Sequence, residues 1–272
     1  MSKVTVDWVI KLGGRGLIDP ATLALVASQI AQLRQLGIKV AVVHGGGPAI
    51  NEELTRRGIS WDFIDGQRVT TPEMMDVIEM VLCGSMNRKV VRALQAAGAD
   101  AVGFSGVDGG TLQCSQLDER LQQVGMVEVV DPRWIESIVS AGGVPCIAPI
   151  GGGLNKRDMT YNINADWAAA RMAAALKVST LVFLTDQEGI LGADGSVLTT
   201  LDEHGLESLI TEEVVKGGML AKTRTILHAL RAGVCDVRVL NAKNGLWAGG
   251  GTACRLNLSA TENRSAEVTS WL

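Results

Sequence analysis

Short apolar runs alternate along this chain with longer segments in which apolar residues recur at helical spacing. The short runs are rich in β-branched residues and apolar at consecutive positions, which is typical of strands covered on both faces by helices. They occupy Val4–Ile10, Ile38–Val43, Ala99–Phe104, Val144–Ile150, Ser179–Thr185 and Val234–Leu240. This alternation predicts an α/β fold, a three-layer αβα sandwich around a central, mainly parallel sheet.

The segments between the runs predict the helices and the larger divisions of the chain. Helices are predicted over Pro20–Leu36, Thr71–Ala97, Asn164–Leu176 and Leu220–Arg231. Trp61–Val69 and Thr111–Val130 are predicted as hairpins or irregular excursions. A weak boundary near Lys177–Thr180 divides the chain into an N-terminal lobe, residues 1–178, and a C-terminal lobe, residues 179–272.

The composition narrows the classes of partner. The chain has 272 residues, 47% of them hydrophobic, with a net charge of −4 and a pI near 5.5. This balance argues against a nucleic-acid partner, because that binding depends on basic surface that neutralises phosphates. Neither a secretory signal peptide nor a run able to span a bilayer is predicted, so no membrane partner is expected.

The cysteines favour a reducing compartment. They are scattered, with no C-x-x-C pair, at positions Cys83, Cys114, Cys146, Cys235 and Cys254. We interpret them as reduced core thiols of a cytoplasmic protein rather than as a disulfide framework or a zinc site.

Three glycine clusters directly follow predicted strands, at Lys11–Gly14, His44–Pro48 and Gly151–Gly153. The carboxyl ends of parallel strands meet at one edge of a sheet, so the first two clusters are predicted to converge on a ligand crevice. Any one such turn could be only a tight connection between strand and helix. Lys11, at the end of an apolar strand, favours a phosphate ligand instead. Neither cluster matches the P-loop or the dinucleotide-binding fingerprint.

Two further segments place charges near the starts of predicted helices. Tyr161–Asp166 puts Asp166 in the first turn of an Ala-rich helix, where an acid could serve only as an N-terminal helix charge. Lys216–Lys222 brings Lys222 into a helix shortly after a glycine pair, where a lysine is unfavourable unless an anion is bound. Together with Lys11, these residues provide the kind of charged groups that phosphoryl transfer uses.

The ordered motifs resemble those of the amino acid kinase family, from about Val9 to about Ala232. They are Lys11–Gly14, Val42–Pro48, Gly66–Val69, Gly103–Gly106, Tyr161–Asp166, Leu184–Asp186, Gly189–Leu191 and Gly217–Lys222. Within the family, the resemblance is to the branch that acts on N-acetylglutamate. It implies ATP-dependent phosphorylation of the side-chain carboxylate in arginine biosynthesis.

The resemblance implies roles for the charged residues. Lys11 and Lys222 would neutralise the migrating phosphoryl group from two sides, and Asp166 would hold the two lysines in place. A substrate carboxylate with a pKa of about 4 is already ionised at cytoplasmic pH. No general base is then required, so His44 is interpreted as structural.

The same resemblance implies the ligand-binding residues. The substrate would contact Gly46, Gly47, Arg68 and Asn162, with Arg68 holding its α-carboxylate. The nucleotide would lie among Gly13, Gly14, Thr185, Asp186, Gly189, Ile190, Val214, Val215, Lys216 and Gly217. The expected cofactor is ATP with Mg²⁺ held mainly by the nucleotide phosphates, without a metal site built by the protein alone.

The resemblance further implies a homodimer built on the helix Pro72–Leu94, which could equally be an ordinary core helix. Arginine-inhibited relatives carry an extra helix before the first strand, whereas the ten residues before Lys11 are strand-like, and Asn241–Gly251 is shortened. An arginine-insensitive homodimer is therefore expected. Trp61 and Trp167 are unusual occupants, interpreted as packing residues, and they leave room for a different acyl group.

Two other functions stay open. A related carboxylate kinase, such as the carrier-protein-linked aminoadipate type, differs around the acidic residue, and the Asn164–Asp166 sequence found here favours acetylglutamate. A non-catalytic amino-acid or nucleotide sensor would have no need to keep Lys11, Asp166 and Lys222 together.

Overall fold

The computed structural model describes residues 5–13, 17, 19–155, 159–247 and 249–256. The strands are β1 (Trp8–Leu12), β2 (Val40–His44), β3 (Phe63–Ile64), β4 (Gln67–Arg68), β5 (Ala101–Ser105), β6 (Leu112–Gln116), β7 (Gly125–Val130), β8 (Val144–Ala148), β9 (Ile150–Gly153), β10 (Thr160–Asn162), β11 (Thr180–Thr185), β12 (Thr200–Leu201), β13 (Asp236–Asn241) and β14 (Thr252–Cys254). The helices are α1 (Pro20–Gln35), α2 (Gly47–Arg56), α3 (Pro72–Glu79), α4 (Asn87–Ala96), α5 (Arg133–Ser140), α6 (Ala165–Leu176), α7 (Glu203–Thr211) and α8 (Gly217–Arg231). A π-helical segment, Met80–Met86, joins α3 to α4. Of the helices in the described ranges, none combines the length and apolar content that crossing a bilayer requires.

The main sheet contains all six strands predicted from the apolar runs. Its order is β12-β14-β13-β11-β1-β2-β8-β5. The six strands from β13 to β5 are parallel, while β14 pairs with β13 in the antiparallel direction and β12 follows β14. The sheet is therefore mainly parallel, as predicted.

The central strands of this sheet are apolar on both faces. In β1, Val9 packs in one core with α5 to α8, and Ile10 packs in a second core with α1 to α4. In β11, Phe183 belongs to the first core and Val182 to the second. Because successive strand residues point to opposite faces, both faces need a helical cover. The predicted three-layer sandwich is confirmed.

Both predicted excursions form small sheets beside the main one. A four-stranded sheet has the order β10-β9-β6-β7, and β3 and β4 pair as an antiparallel hairpin. Asp65 and Gly66 form the two-residue turn of this hairpin, with φ of 51° and 77°. Positive φ at both positions matches the twist of a two-residue hairpin.

Two predicted elements are interrupted. The run Val144–Ile150 was predicted as one strand, but it divides at Pro149 into β8 and β9, which belong to different sheets. The Pro149 carbonyl accepts from the N–H of Ile163 (3.0 Å), directly after β10, so the chain leaves the main sheet for the small one at this residue. The single helix predicted over Thr71–Ala97 is broken by the π-helical segment Met80–Met86.

Two predicted starts are displaced. The strand predicted from Val234 begins at Asp236, because the Val234 N–H donates to Ala229 O and so caps the end of α8. The helix predicted from Leu220 begins at Gly217, which adds almost one turn at its N-terminus.

The cysteines only partly match the predicted core thiols. All five are free, and Cys114, Cys146 and Cys254 are buried. Cys83 is half-buried and Cys235 is exposed, so the core prediction is wrong for Cys235. Val234 caps the end of α8, and β13 begins only at Asp236. Cys235 therefore lies in the turn between the two elements.

Candidate active site

The carboxyl ends of β1, β2 and β11 lie side by side at the centre of the main sheet, at the edge where sheets of this kind have their ligand crevice. The chain passes from β1 to β2 on one side, while β11 flanks β1 on the other, so this is a point at which the strand order reverses. Gly13 N–H donates to Leu184 O (3.1 Å), and Gly45 N–H donates to Leu12 O (2.8 Å). The predicted convergence of the first two glycine clusters is confirmed at Gly13 and Gly45.

A carboxylate lies between two ammonium groups at this crevice. Lys11 Nζ is 2.7 Å from Asp166 Oδ1, and Lys222 Nζ is 2.5 Å from Asp166 Oδ2. The side chains of Lys11, Asp166 and Lys222 are 11%, 15% and 9% exposed. Three residues that are distant in sequence therefore form one nearly enclosed ionic cluster.

Strand alternation explains why these three residues meet. Lys11 and Val9 point to the same face of β1, which is the face covered by α6 and α8. Lys11 lies opposite Phe183 in the pairing of β1 with β11, and the Phe183 ring centroid is 5.0 Å from Lys222 Nζ. Asp166 comes from the first turn of α6 and Lys222 from the second turn of α8.

The cluster carries an excess of positive charge, with two ammonium groups and one carboxylate. Burial alone would raise the pKa of Asp166, but the charges and hydrogen bonds of Lys11 and Lys222 outweigh burial and hold this pKa well below its usual range. Burial lowers the pKa of Lys222, and Asp166 opposes that shift. A second anion would further stabilise the charged lysine, so the cluster suits a phosphate ligand.

Two helix N-termini add backbone donors. Among the described residues, the N-cap positions of α2 and α8, Gly46 and Lys216, make no side-chain hydrogen bond to the first helical turn. In contrast, Asn164 caps α6, because its Oδ1 accepts from Asp166 N–H (2.9 Å) and Trp167 N–H (3.4 Å). The first-turn amides of α2 and α8 can therefore serve an anion, whereas those of α6 hold Asp166 in position.

A third buried cation, separate from the two lysines, lies at the β3–β4 hairpin. The Arg68 guanidinium donates from Nη2 to Asn51 Oδ1, and its carbon is 4.8 Å from the Phe63 ring centroid and 5.4 Å from that of Trp61. Buried Nη1 has no hydrogen-bond partner among the described residues. Burial lowers the pKa of Arg68 to about 10, so it stays charged at neutral pH. A buried guanidinium with an unused donor suits a carboxylate ligand.

Asn162 is joined to Arg68 through one hydroxyl group. Asn162 Nδ2 donates to Thr70 Oγ1 (3.1 Å), and Thr70 Oγ1 donates to Arg68 O (3.0 Å). Gly46 and Gly47 lie at the start of α2, the helix that also supplies the acceptor for Arg68. The structure thus links the four predicted substrate residues through α2 and the hairpin.

Some of the predicted nucleotide residues lie at strand or helix ends that face the crevice. Thr185 ends β11, next to exposed Asp186, and its Oγ1 donates to Asp186 Oδ1 (3.3 Å). Lys216 and Gly217 begin α8, the helix of Lys222. Gly14 lies outside the described residues.

Other predicted nucleotide residues pack into the protein. Ile190 and Val215 are buried in the core, and Val214 packs against it. Ile190 N–H donates to Thr252 Oγ1 (2.8 Å), and a Cβ added to Gly189 would lie 2.8 Å from that same oxygen. The side chains of Ile190, Val214 and Val215 therefore belong to the core, or pack against it, rather than to an open ligand surface.

Two neighbours of Arg68 were missed from the sequence. Asn51 lies among charged residues of α2, so it gives no signal distinct from a solvated helix face. Phe63 could have been found, because the Asp65-Gly66 turn sets a register in which Phe63 pairs directly with Arg68.

Comparison with known proteins relates this geometry to one family. A model described as the amino acid kinase family matches residues 8–241. Acetylglutamate kinase of Jannaschia sp. (strain CCS1) is 41% identical over 239 residues, which cover 86% of this chain and 83% of that protein. Acetylglutamate kinase of Geobacillus kaustophilus (strain HTA426) is 39% identical over 247 residues, covering 89% and 94% of the two chains.

Solved structures share the fold. The protein smu.665 from Streptococcus mutans UA159 is similar with a TM-score of 0.83 and 26% identity, over 93% of this chain and all of that one (100%). Carbamate kinase from Giardia lamblia bound to AMP-PNP has a TM-score of 0.71 and 16% identity, over 94% and 100% of the two chains. At that identity the second likeness is one of fold alone.

Proposed function

Since the chain belongs to the amino acid kinase family, we propose that it transfers the γ-phosphoryl group of ATP to the side-chain carboxylate of N-acetyl-L-glutamate. The products are an acyl phosphate and ADP, and the step belongs to arginine biosynthesis. The observation that carries the proposal is the buried cluster of Lys11, Asp166 and Lys222. It occurs in a chain 40% to 41% identical to acetylglutamate kinases over 86% of its length.

The proposed reaction needs no general base. The nucleophile is a carboxylate with a pKa of about 4, which is ionised at neutral pH. Transfer then depends on alignment of the reactants and on neutralising the charge of the phosphoryl oxygens. Lys11 and Lys222 supply two positive charges, one from the end of β1 and one from α8.

Asp166 is the positioning group of this cluster. Its pKa lies well below the usual range of a carboxyl group, so it keeps its charge and takes no proton at neutral pH. Its two oxygens hold the two ammonium groups, which would otherwise repel each other in a buried site.

The amino-acid substrate lies on the side of α2 and the hairpin. Arg68 binds the α-carboxylate through its unused Nη1 donor, and Asn162 contacts the substrate from β10. The backbone amides of Gly46 and Gly47, at the N-terminus of α2, contact substrate and phosphate.

ATP lies on the side of β11 and α8, near Thr185, Asp186, Lys216 and Gly217, and residues 179–272 form the nucleotide lobe. Residues 1–178 form the substrate and dimerisation lobe.

Mg²⁺ held by the ATP phosphates would neutralise part of their charge. Both oxygens of Asp166 are paired with lysines, and the described part of the chain contains no group of three His, Cys, Asp or Glu side chains able to hold a metal. This donor set suits a metal that arrives with the nucleotide.

Gly13 leaves the space that Lys11 uses. A Cβ at position 13 would lie 2.1 Å from Lys11 Nζ and 2.9 Å from its Cε, so Gly13→Ala must displace the ammonium group. We expect kcat to fall by about 10²-fold, since a 1 Å misplacement has this effect. Steady-state kinetics of this variant and of Gly152→Ala measure the change, because Gly152 lies in β9 and its added Cβ meets no described atom within 4 Å. Equal kcat values in the two variants would contradict the assignment.

Arg68→Met tests the substrate carboxylate site. The charge-assisted bond to Arg68 persists from bound substrate to transition state, so its loss should raise the KM for N-acetylglutamate by about 10- to 100-fold with a smaller effect on kcat. Initial rates over a range of substrate concentrations measure both constants. Arg57→Met, which removes an exposed arginine paired with Glu53, is the matched control. An unchanged KM in Arg68→Met would show that Arg68 does not bind the substrate carboxylate.

A hydroxamate assay for the acyl phosphate tests the function. We expect turnover of N-acetylglutamate with ATP and Mg²⁺, and little or none of glutamate or of aminoadipate derivatives. Rapid turnover of another acid without turnover of N-acetylglutamate would replace the proposed substrate, and absence of all turnover would favour a sensor.

The proposed enzyme is a cytoplasmic homodimer that arginine does not inhibit. The proposed interface helix, Pro72–Leu94, comprises α3, the π-helical segment and most of α4. Light scattering with and without arginine, together with activity, tests the proposal. A hexamer inhibited by arginine would overturn it.

A further inference from the structure

His44 lies buried directly behind the glycine turn that begins α2. It ends β2 and has no exposed surface. Its Nδ1 is 3.0 Å from Gly45 O, and its Nε2 is 3.0 Å from Asn87 Nδ2. Asn87 is equally buried and begins α4 at the end of the π-helical segment.

The partners of Asn87 fix the orientation of its amide group. Its Nδ2 donates to Cys146 O (3.0 Å) as well as to His44, and its Oδ1 accepts from Arg88 Nη2. Arg88 Nη2 also donates to Gly103 O (2.8 Å). The amide nitrogen must therefore face the His44 ring.

This orientation fixes the tautomer of His44. Burial lowers the pKa of His44 to about 4, against the opposing effect of its bond to Gly45 O, so the ring is neutral at pH 7 and carries one proton. Nε2 faces a donor and must accept, so the proton is on Nδ1 and is donated to Gly45 O.

The Gly45 carbonyl belongs to the same peptide unit as the Gly46 N–H. The described chain contains no cis peptide, and in a planar trans peptide the C=O and N–H point in opposite directions. Holding Gly45 O toward buried His44 therefore turns the Gly46 N–H away from His44.

Side chains do not enforce this orientation, because residues 45 to 47 are all glycine. Glycine has access to nearly all backbone conformations, so rotation of this peptide meets little steric resistance. Yet larger residues are excluded at position 46, where a Cβ would lie 2.5 Å from Leu82 Cδ2 and 3.3 Å from Met86 Cγ. Position 46 must therefore be glycine, which does not restrict the backbone itself. The orientation of the Gly45–Gly46 peptide has to be fixed by a contact from elsewhere.

We propose that His44 and Asn87 are positioning residues that fix the Gly45–Gly46 peptide and so aim the Gly46 N–H at the transferring phosphoryl group. The proposal rests on the proposed kinase function for its target, while the tautomer and the hydrogen bonds are independent of it. The π-helical segment takes part in this arrangement, because it supplies Leu82 and Met86 against Gly46 and ends at Asn87. A π turn contains an extra residue and changes the phase of the helix, and such turns are frequent at functional sites.

The kinetic test compares two replacements of His44. His44→Leu removes the donor to Gly45 O. We expect kcat for N-acetylglutamate to fall by about 10- to 100-fold, which does not exceed the effect of removing one oxyanion donor, while the KM stays nearly unchanged. In His44→Asn the side-chain N–H replaces Nδ1–H, and we expect kcat within about 3-fold of the wild type. Val90→Ala, one turn after Asn87 in α4 and fully buried, is the control for lost core packing. It should lower the thermal midpoint and keep kcat.

The second measurement does not depend on activity. The chain has three histidines, so ¹⁵N-histidine NMR with His44→Asn as the assignment reference can resolve the His44 ring at pH 7. We expect a neutral ring protonated on Nδ1 in the wild type. In Asn87→Leu, where Nε2 loses its donor, we expect part of the Nε2–H tautomer and a lower kcat.

The outcomes separate this inference from the function. Folded His44→Leu with wild-type kcat, or a wild-type ring protonated on Nε2, would overturn the inference. If His44→Leu does not fold, Asn87→Leu and the wild-type tautomer decide in the same way. A wild-type protein that does not turn over N-acetylglutamate would overturn the proposed function and with it the target of the Gly46 N–H, whereas the NMR result would still test the hydrogen bonds.

Discussion

Replacing Lys222 with methionine is expected to lower kcat by about 10³-fold or more, because a preformed cation at a phosphoryl-transfer transition state contributes on this scale. The ammonium group is buried and paired with Asp166 at 2.5 Å. In the methionine variant, water cannot readily enter this buried position to replace the lost ammonium group. Methionine has nearly the same length and can fill the space against Phe183.

The measurement is single-turnover and steady-state kinetics with N-acetylglutamate and ATP, together with the thermal midpoint. Lys39→Met is the matched control, because Lys39 is exposed and precedes β2 at the opposite edge of the sheet. We expect this control to keep the wild-type kcat. A folded Lys222→Met variant within a few-fold of wild-type turnover would show that Lys222 takes no part in transfer.

Asp166→Asn is expected to damage both activity and stability. The amide has the shape of the carboxylate but leaves two nearly buried ammonium groups without a counter-charge. Removing one partner from a buried ionic cluster costs about 3–5 kcal/mol of unfolding free energy. We also expect kcat to fall by about 10²-fold or more, because the lysines lose the group that fixes their separation.

The stability difference between wild type and Asp166→Asn should depend on pH in one direction. The pKa of Asp166 in the folded protein lies well below its value of 3.8 in a model peptide. As the pH falls below about 4, the unfolded chain takes up a proton before the folded protein does, so the stabilising contribution is present at neutral pH and lost on acidification. The difference should be constant between about pH 5 and 7 and should shrink below about pH 4.

Chemical denaturation across this pH range measures the difference. Glu207→Gln is the control, because Glu207 pairs with Arg231 at the surface, where the two side chains are 48% and 52% exposed. Its loss should cost about 1 kcal/mol or less. Equal costs for Asp166→Asn and Glu207→Gln, or a difference for Asp166→Asn that grows on acidification, would contradict the buried ionic cluster.

Local pattern was sufficient for the sheet but not for its interruptions. The six apolar runs predicted the parallel strands because a strand covered on both faces has to be apolar throughout, whatever its neighbours are. The division at Pro149 was visible as a proline, but which sheet each half joins depends on partners far away in sequence. The π-helical segment also has no local signature, since its apolar residues suit an α-helix equally well.

The candidate site was predictable where one motif supplies both the residue and its position. Lys11 at the end of β1 and Asp166 in the first turn of α6 are of this kind. Their contact follows once strand alternation selects the face of β1. The Arg68 environment and the His44–Asn87 contact depend on packing between segments, and Asn87 looked like one more polar residue in a long helix.

The pairing of β1 with β11 has a consequence for synthesis of the chain. The strand that contains Lys11 emerges first, but β11 begins at residue 180 of 272, so one edge of β1 stays unpaired until about two-thirds of the chain has been made. An apolar strand with an unpaired edge can pair with the wrong partner, and such long-range pairing slows folding. Lys11 therefore reaches Asp166 and Lys222 only late in translation, and nascent chains arrested before β11 should depend on chaperones to stay unaggregated.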